Sequence, residues 1–158
     1  MSIQTIGIIG AGTMGNGIAQ ACAVAGLNAV VQDVNEAALE RALKTVSGSL
    51  DRSVRKGTLS EADKEAVLGR ITTSTSAQAL AATDLIIEAA TENEAIKIKI
   101  LQNVDAIASP GTIIASNTSS ISITRLAAAI QRPDRFVGMH FFNPVPVMAL
   151  VEIIRGLR

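Results

Sequence analysis

From Ser2 to Gln32 the sequence carries no charged side chain, and five glycines crowd the part before Ile18, at positions 7, 10, 12, 15 and 17. An uncharged run of this length has few outlets: a membrane span, a signal segment, or a buried strand, turn and helix. No basic residue precedes the apolar part, and Gln4, Asn16, Gln20 and Asn28 interrupt it, so neither of the first two fits. The third does. "TIGIIG" (5–10) is a short apolar run ending in glycine, the pattern of a buried strand in a parallel sheet. "MGNGIAQACAVAG" (14–26) reads as a helix of small and apolar residues closed by Gly26, and "NAVVQD" (28–33) as a second strand. Together they make a βαβ unit of about thirty residues.

The turn of that unit reads Gly10-Ala11-Gly12-Thr13-Met14-Gly15, a GxGxxG after a strand and at the opening of a helix. Gly10 permits the tight turn, Gly12 lets backbone approach a pyrophosphate, and Gly15 lets helix and strand pack closely. The helix start offers free N–H groups and a partial positive charge to the phosphates. Thr13 and Met14 lie inside the loop as further cofactor candidates, although Met14 reads equally as a plug of the core. Asp33 ends the second strand, 18 residues after Gly15, where a carboxylate accepts both adenosine ribose hydroxyls and repels a 2′-phosphate. With Val34 and Asn35 following, no arginine stands by to receive that phosphate, so NAD is expected over NADP.

The remaining chain predicts a Rossmann-type, doubly wound α/β domain with a mostly parallel sheet over residues 1–158. An amphipathic helix over about 35–56 is followed by a second helix capped by Ser60, with Asp63 in a capping-box-like position. These two helices, about 35–70, form a hairpin inserted between strands two and three. Alternation then resumes: strand 70–74, short helix 77–82, strand 84–89, helix 93–108, strand 112–117, helix 122–130, strand 135–140, and a final strand within 149–156.

In such a sheet, ligands gather at the carboxyl ends of the strands. Three polar clusters stand there: "ATENE" (90–94), "SNTSS" (116–120) and "HFFNP" (140–144). The last holds His140, the only histidine of the sequence. A lone histidine among apolar residues is more often a core residue than a catalyst, but this one is expected on the nucleotide rim. If the segment around Pro146 turns a hairpin, the residue opposite His140 is Glu152, each being six residues from the proline. A carboxylate there would fix the imidazole tautomer and stabilise imidazolium as a proton arrives, which a general base for a hydroxyl proton requires.

Several function classes fit poorly. Lys plus Arg and Asp plus Glu both number 14, with no run of like charge, so no field draws the chain to nucleic acid or an acidic membrane. Three phenylalanines with no tyrosine or tryptophan give no stacking platform for single strands. One cysteine cannot form an internal disulfide, which points to a reducing, cytoplasmic setting, and Cys22 reads as a small core residue. Metal ligation lacks clustered ligands. A Ser119–His140 hydrolase lacks a G-x-S-x-G elbow and leaves the glycine loop unexplained.

"GIIGAGTMGNGIAQ", "EAATEN", "ASNTSSISIT", "DRFVGMHFFNPVPVM" and "LVEII" span nearly the whole chain and resemble the NAD-binding domain of the L-3-hydroxyacyl-CoA dehydrogenases, in particular bacterial 3-hydroxybutyryl-CoA dehydrogenases. The resemblance implies oxidation of an L-3-hydroxyacyl-CoA to the 3-ketoacyl-CoA in fatty acid metabolism. It implies His140 as catalytic base with Glu152 as its partner, and Ser119 as hydrogen-bond donor to the substrate's 3-oxygen. Asn143 is implied beside the nicotinamide, Glu92 and Lys97 near its ribose, and Asn117 at the cofactor as well. Ser49 and Lys56 match positions that contact coenzyme A; a solvated helix face is the competing reading of both. The family's chains continue into a helical domain that closes over the acyl-CoA, builds much of a dimer interface and adds a catalytic asparagine. These 158 residues hold no counterpart, so the domain alone is expected to bind NAD, to turn over poorly, and to self-associate through the apolar face the helical domain covers. Two rivals stay open: an NAD-binding module without catalysis, and a dehydrogenase of a 3-hydroxy acid not carried on coenzyme A.

Overall fold

The structure, a computed structural model, describes residues 2–157. Among the described residues seven strands form one sheet: β1 (Thr5–Ile9), β2 (Asn28–Gln32), β3 (Ile71–Ser74), β4 (Leu85–Glu88), β5 (Ile113–Ser116), β6 (Phe136–Phe141) and β7 (Val151–Ile154). Five α-helices of these residues accompany them: α1 (Thr13–Val24), α2 (Glu36–Arg55), α3 (Glu61–Gly69), α4 (Glu94–Ile107) and α5 (Ile123–Ala128). The strand order is β3-β2-β1-β4-β5-β6-β7, parallel except for the antiparallel β6–β7 pair. The order reverses direction between β1 and β4, which opens a crevice at the carboxyl ends of those two strands.

Alternation along the strands explains why helices cover both faces. Ile6 and Ile8 of β1, Leu85 and Ile87 of β4 and Ala115 of β5 point to one face and pack with Ile18 of α1, Leu39, Val46 and Leu50 of α2 and Val67 of α3. Ile9 and Ile86 point to the other and meet Val104 of α4 and Leu80 from the segment between β3 and β4. Beside them Ile114 packs with Leu101 of α4 and Leu126 of α5. The inserted hairpin of α2 and α3 thus belongs to the α1 face. Its helices start as expected, with Asn35 Oδ1 accepting from Ala38 N at 3.2 Å and Ser60 Oγ from Asp63 N at 3.0 Å.

Some boundaries differ from the sequence reading. The first strand stops at Ile9, because Gly10 turns with φ +103°. Helix α1 ends at Val24 with Ala25 as its cap; Gly26, at φ +92°, is the residue beyond, and Leu27 N closes back on Cys22 O at 3.0 Å. That is the six-to-one closure of a Schellman ending. The short helix expected over 77–82 is a 3-10 turn, Ala77–Leu80, too brief to propagate α geometry. The final strand covers only Val151–Ile154 of the expected 149–156.

Candidate active site

Helix α1 differs from the other α-helices in how it begins. Asn35, Ser60, Asn93 and Ser122 cap α2 to α5 through side-chain oxygens, whereas α1 begins at Gly12 with no side-chain cap and no acidic residue in its first turn. Its first amides are left for an anion. The three motif glycines do different work. A Cβ on Gly15 would lie 1.7 Å from the Gly10 carbonyl oxygen, and one on Gly10 would lie 2.8 Å from the Ala89 oxygen. A Cβ on Gly12 would meet nothing within 4 Å, so the space above it is open. Thr13 is exposed at the helix start, and Met14 is half-buried against the core, which supports its reading as a plug. The residues fit a dinucleotide.

Asp33 lies one residue beyond β2, and both its oxygens accept backbone N–H groups, Oδ2 from Ala11 at 2.9 Å and Oδ1 from Asn35 at 2.9 Å. The carboxylate therefore anchors the glycine loop. A carboxylate has about four acceptor sites, so each oxygen keeps capacity for a ribose hydroxyl.

The parallel strands β4, β5 and β6 bring the three polar clusters to the same edge, and hydrogen bonds join them. Glu92 Oε2 accepts from the hydroxyls of Thr118 (2.9 Å) and Ser120 (3.0 Å). Asn117 Oδ1 accepts from Phe141 N at 2.8 Å, tying the loop after β5 to the strand carrying His140. Ser119 is exposed beside them, as is Asn143 at the start of the turn after β6. Lys97 is placed differently from an exposed cation: its side chain is 1% exposed, and its ammonium pairs with fully buried Glu88 and contacts Ser116 Oγ at 3.3 Å.

His140 and Glu152 face each other across β6 and β7, the register that the spacing about Pro146 anticipates. Nδ1 of His140 stands 3.4 Å from Glu152 Oε1, and the ring lies 4.5 Å from that of Phe142, tilted 54°. The histidine is 21% exposed, far less than its partner at 51%. With Nδ1 turned to the carboxylate, Nε2 is the nitrogen left for a substrate proton.

A cleft of about 490 Å³ runs between the α2 hairpin, α1 and the turn after β6. Ser49, Arg52 and Lys56 line it from α2, Gln20 from α1, and Val145 to Val147 from the turn that follows the histidine strand. Ser49 and Lys56 are thus brought to one groove that reaches that turn. Gln20 Nε2 donates to Ser49 Oγ at 2.9 Å, which leaves the serine proton free. Close packing of the turn on α1 needs Gly17, where a Cβ would lie 2.9 Å from Val145. The sequence reading missed Arg52, Gln20 and Glu88. Arg52 has a signal, a second cation four residues before Lys56 on one helix face.

An uncapped glycine loop at the β1–β4 crevice, an acidic residue after β2 and a polar rim define a dinucleotide-binding Rossmann domain. The profile described as "3-hydroxyacyl-CoA dehydrogenase, NAD binding domain" matches residues 5–158, and the chain belongs to that family. It is 50% identical over 155 residues to a 3-hydroxybutyryl-CoA dehydrogenase of Bradyrhizobium diazoefficiens, covering 98% of this chain and 53% of that protein. A 3-hydroxyadipyl-CoA dehydrogenase of Escherichia coli is 43% identical over 157 residues, covering 99% of this chain and 33% of the other. The crystal structure of (S)-3-hydroxybutyryl-CoA dehydrogenase from Ralstonia eutropha superposes with a TM-score of 0.97 at 64% identity, over 99% of this chain and 55% of that one. The chain spans about half the length of the 3-hydroxybutyryl-CoA dehydrogenases it matches. NAD is the nucleotide of the family. Among the described residues no helix is long and apolar enough to cross a membrane, and no three His, Cys, Asp or Glu side chains cluster as metal ligands.

Proposed function

We propose that the chain is the NAD-binding part of an enzyme oxidising L-3-hydroxyacyl-CoA, such as 3-hydroxybutyryl-CoA, to the 3-ketoacyl-CoA. The observation that carries this reading is the His140–Glu152 pair standing on the same rim as an uncapped glycine loop. Relatives named for 3-hydroxybutyryl-CoA support the substrate class, and the name 3-hydroxyadipyl-CoA dehydrogenase keeps the acyl group open.

In this reading Gly10, Gly12, Thr13 and Gly15 receive the pyrophosphate, with Met14 packed beneath, and Asp33 takes the adenosine ribose. Glu92, Asn117 and Asn143 line the ribose and nicotinamide end, and Lys97, buried against Glu88 and Ser116, supports that end from within the fold instead of standing exposed to the cofactor. NAD, when bound, supplies the acceptor for the hydride leaving the substrate's 3-carbon. His140 Nε2 removes the proton of the 3-hydroxyl, and Glu152 holds the ring and offsets the charge it gains. Ser119 donates to the 3-oxygen. Ser49 and Lys56, with Arg52 beside them, receive the coenzyme A moiety in the cleft.

The reading is tested by following NADH oxidation with acetoacetyl-CoA and with free acetoacetate. Turnover by the 158-residue chain is expected to be low and confined to the thioester. His140→Gln is expected to lower that rate by roughly 10² to 10⁴, the worth of a general base. Lys56→Met is expected to raise KM for the thioester and to leave NADH binding unchanged. Equal rates on acid and thioester, both insensitive to Lys56→Met, would favour a dehydrogenase of free 3-hydroxy acids. NADH binding with no turnover under any condition would favour a non-catalytic module.

A further inference from the structure

Beneath the rim lies a charged group that the proton path does not use. Glu88 is fully buried, Lys97 is 1% exposed and Ser116 is fully buried. Two buried charges are costly to desolvate, and well-packed apolar residues of similar volume hold a fold equally well. Stability alone gives no reason for the pair. Its bonds give one.

Glu88 ends β4 between Ile9 of β1 and Ser116 of β5, at the reversal of strand order. Its Oε1 takes the Lys97 ammonium and the Ser116 hydroxyl, the latter at 2.8 Å. Its Oε2 accepts Ala90 N at 2.8 Å, which fixes the turn whose backbone walls Gly10. From Ser116 the chain of bonds continues outward: Thr118 N faces Ser116 Oγ at 3.4 Å, and the Thr118 hydroxyl donates to Glu92 at 2.9 Å. Thr118 Oγ1 also accepts from Ser120 N and Ile121 N, at 3.3 and 3.0 Å, so the loop bearing Ser119 hangs on the same network. The ammonium has three hydrogens, and Glu88 and Ser116 take two.

We propose that Glu88 is a positioning residue for the nicotinamide half of the cofactor site: one buried carboxylate holds Lys97 and, through Ser116 and Thr118, sets Glu92 and Ser119 in place. The inference rests on the NAD reading above. In a Rossmann sheet each half serves one mononucleotide, and Lys97, Ser116, Thr118 and Glu92 all belong to the half beyond β1. The nicotinamide end should therefore depend on Glu88 more than the adenosine diphosphate end does.

Two variants test this, with NADH and ADP-ribose as ligands and thermal melting as the control for folding. Glu88→Gln keeps an oxygen for Ala90 N and removes the charge that holds Lys97. Ser116→Ala keeps the ion pair, and so the folded core, and cuts the link to Thr118. Each is expected to weaken NADH by about tenfold, the scale of a lost bond to a charged group. ADP-ribose should change by less than about threefold, within the scatter of ordinary substitutions. The fluorescence of bound NADH should shift toward that of free NADH. An unchanged ratio of the two affinities in both variants would overturn the proposal, whether the affinities themselves stay or fall together with the melting temperature. A wild-type chain that binds ADP-ribose and not NADH would instead remove the NAD reading on which it stands.

Discussion

At the scale of single residues, the glycine loop separates binding from folding. Gly12 faces open space, so Gly12→Ala is expected to change stability by less than about 0.5 kcal/mol while weakening NADH severely. Gly15 faces the Gly10 carbonyl, so Gly15→Ala must move backbone and is expected to cost more than about 2 kcal/mol. Paired urea melts and NADH titrations read both; equal destabilisation by the two substitutions would contradict the division. Asp33→Asn removes the charge that rejects a 2′-phosphate and is expected to narrow the preference for NADH over NADPH. Cys22 is buried on α1, and burial pushes its thiol up to about 11. The thiolate is the reactive form, so a disulfide reagent at pH 8 should label no cysteine in the native protein and one after denaturation. Rapid labelling of native protein would place Cys22 at the surface.

At the scale of elements, Asp84 fastens the start of β1 to that of β4. One of its oxygens accepts Gln4 N at 2.8 Å and Thr5 N at 2.9 Å, and these bonds hold its carboxyl below the usual carboxylate range. A depressed folded-state pKa means the stabilisation is fully present above about pH 4, the unfolded value, and is lost as pH falls through the folded one. Asp84→Asn should therefore be less stable than the wild type at pH 7, and the difference should shrink as pH falls below 4. Urea melts across that range measure it; a pH-independent difference would contradict the assignment. The elements show what a sequence discloses. Periodicity and glycine placement made β1, α1 and β2 legible, and the spacing about Pro146 made the His140–Glu152 register legible, because both are local patterns. The pair of Glu88 and Lys97 was not legible as a pair, since it forms only when α4 packs on β4, and no periodicity marks that contact. The position of Asp33 after β2 suggests a ribose ligand from sequence alone, whereas its bonds to Ala11 and Asn35 depend on a loop folding back across the strand end. The 3-10 turn at Ala77–Leu80 looks like a longer helix in the sequence because composition does not distinguish one turn from two.

At the scale of the whole molecule, the outer edge of the sheet is apolar. Val147, Leu150, Ile153 and Leu157 are 76%, 59%, 59% and 81% exposed, along β7 and its flanks. Apolar strips on an edge strand invite partners, so the isolated chain is expected to associate with itself as concentration rises. Sedimentation velocity should show this, and Ile153→Lys should suppress it; a monomer at all concentrations would contradict it. The proposed chemistry requires NAD in the crevice at the carboxyl ends of β1 and β4. The most direct test is calorimetric titration of the chain with NADH and then NADPH in one buffer. The account predicts one NADH per chain and a markedly weaker response to NADPH; no heat of binding with either nucleotide would contradict it.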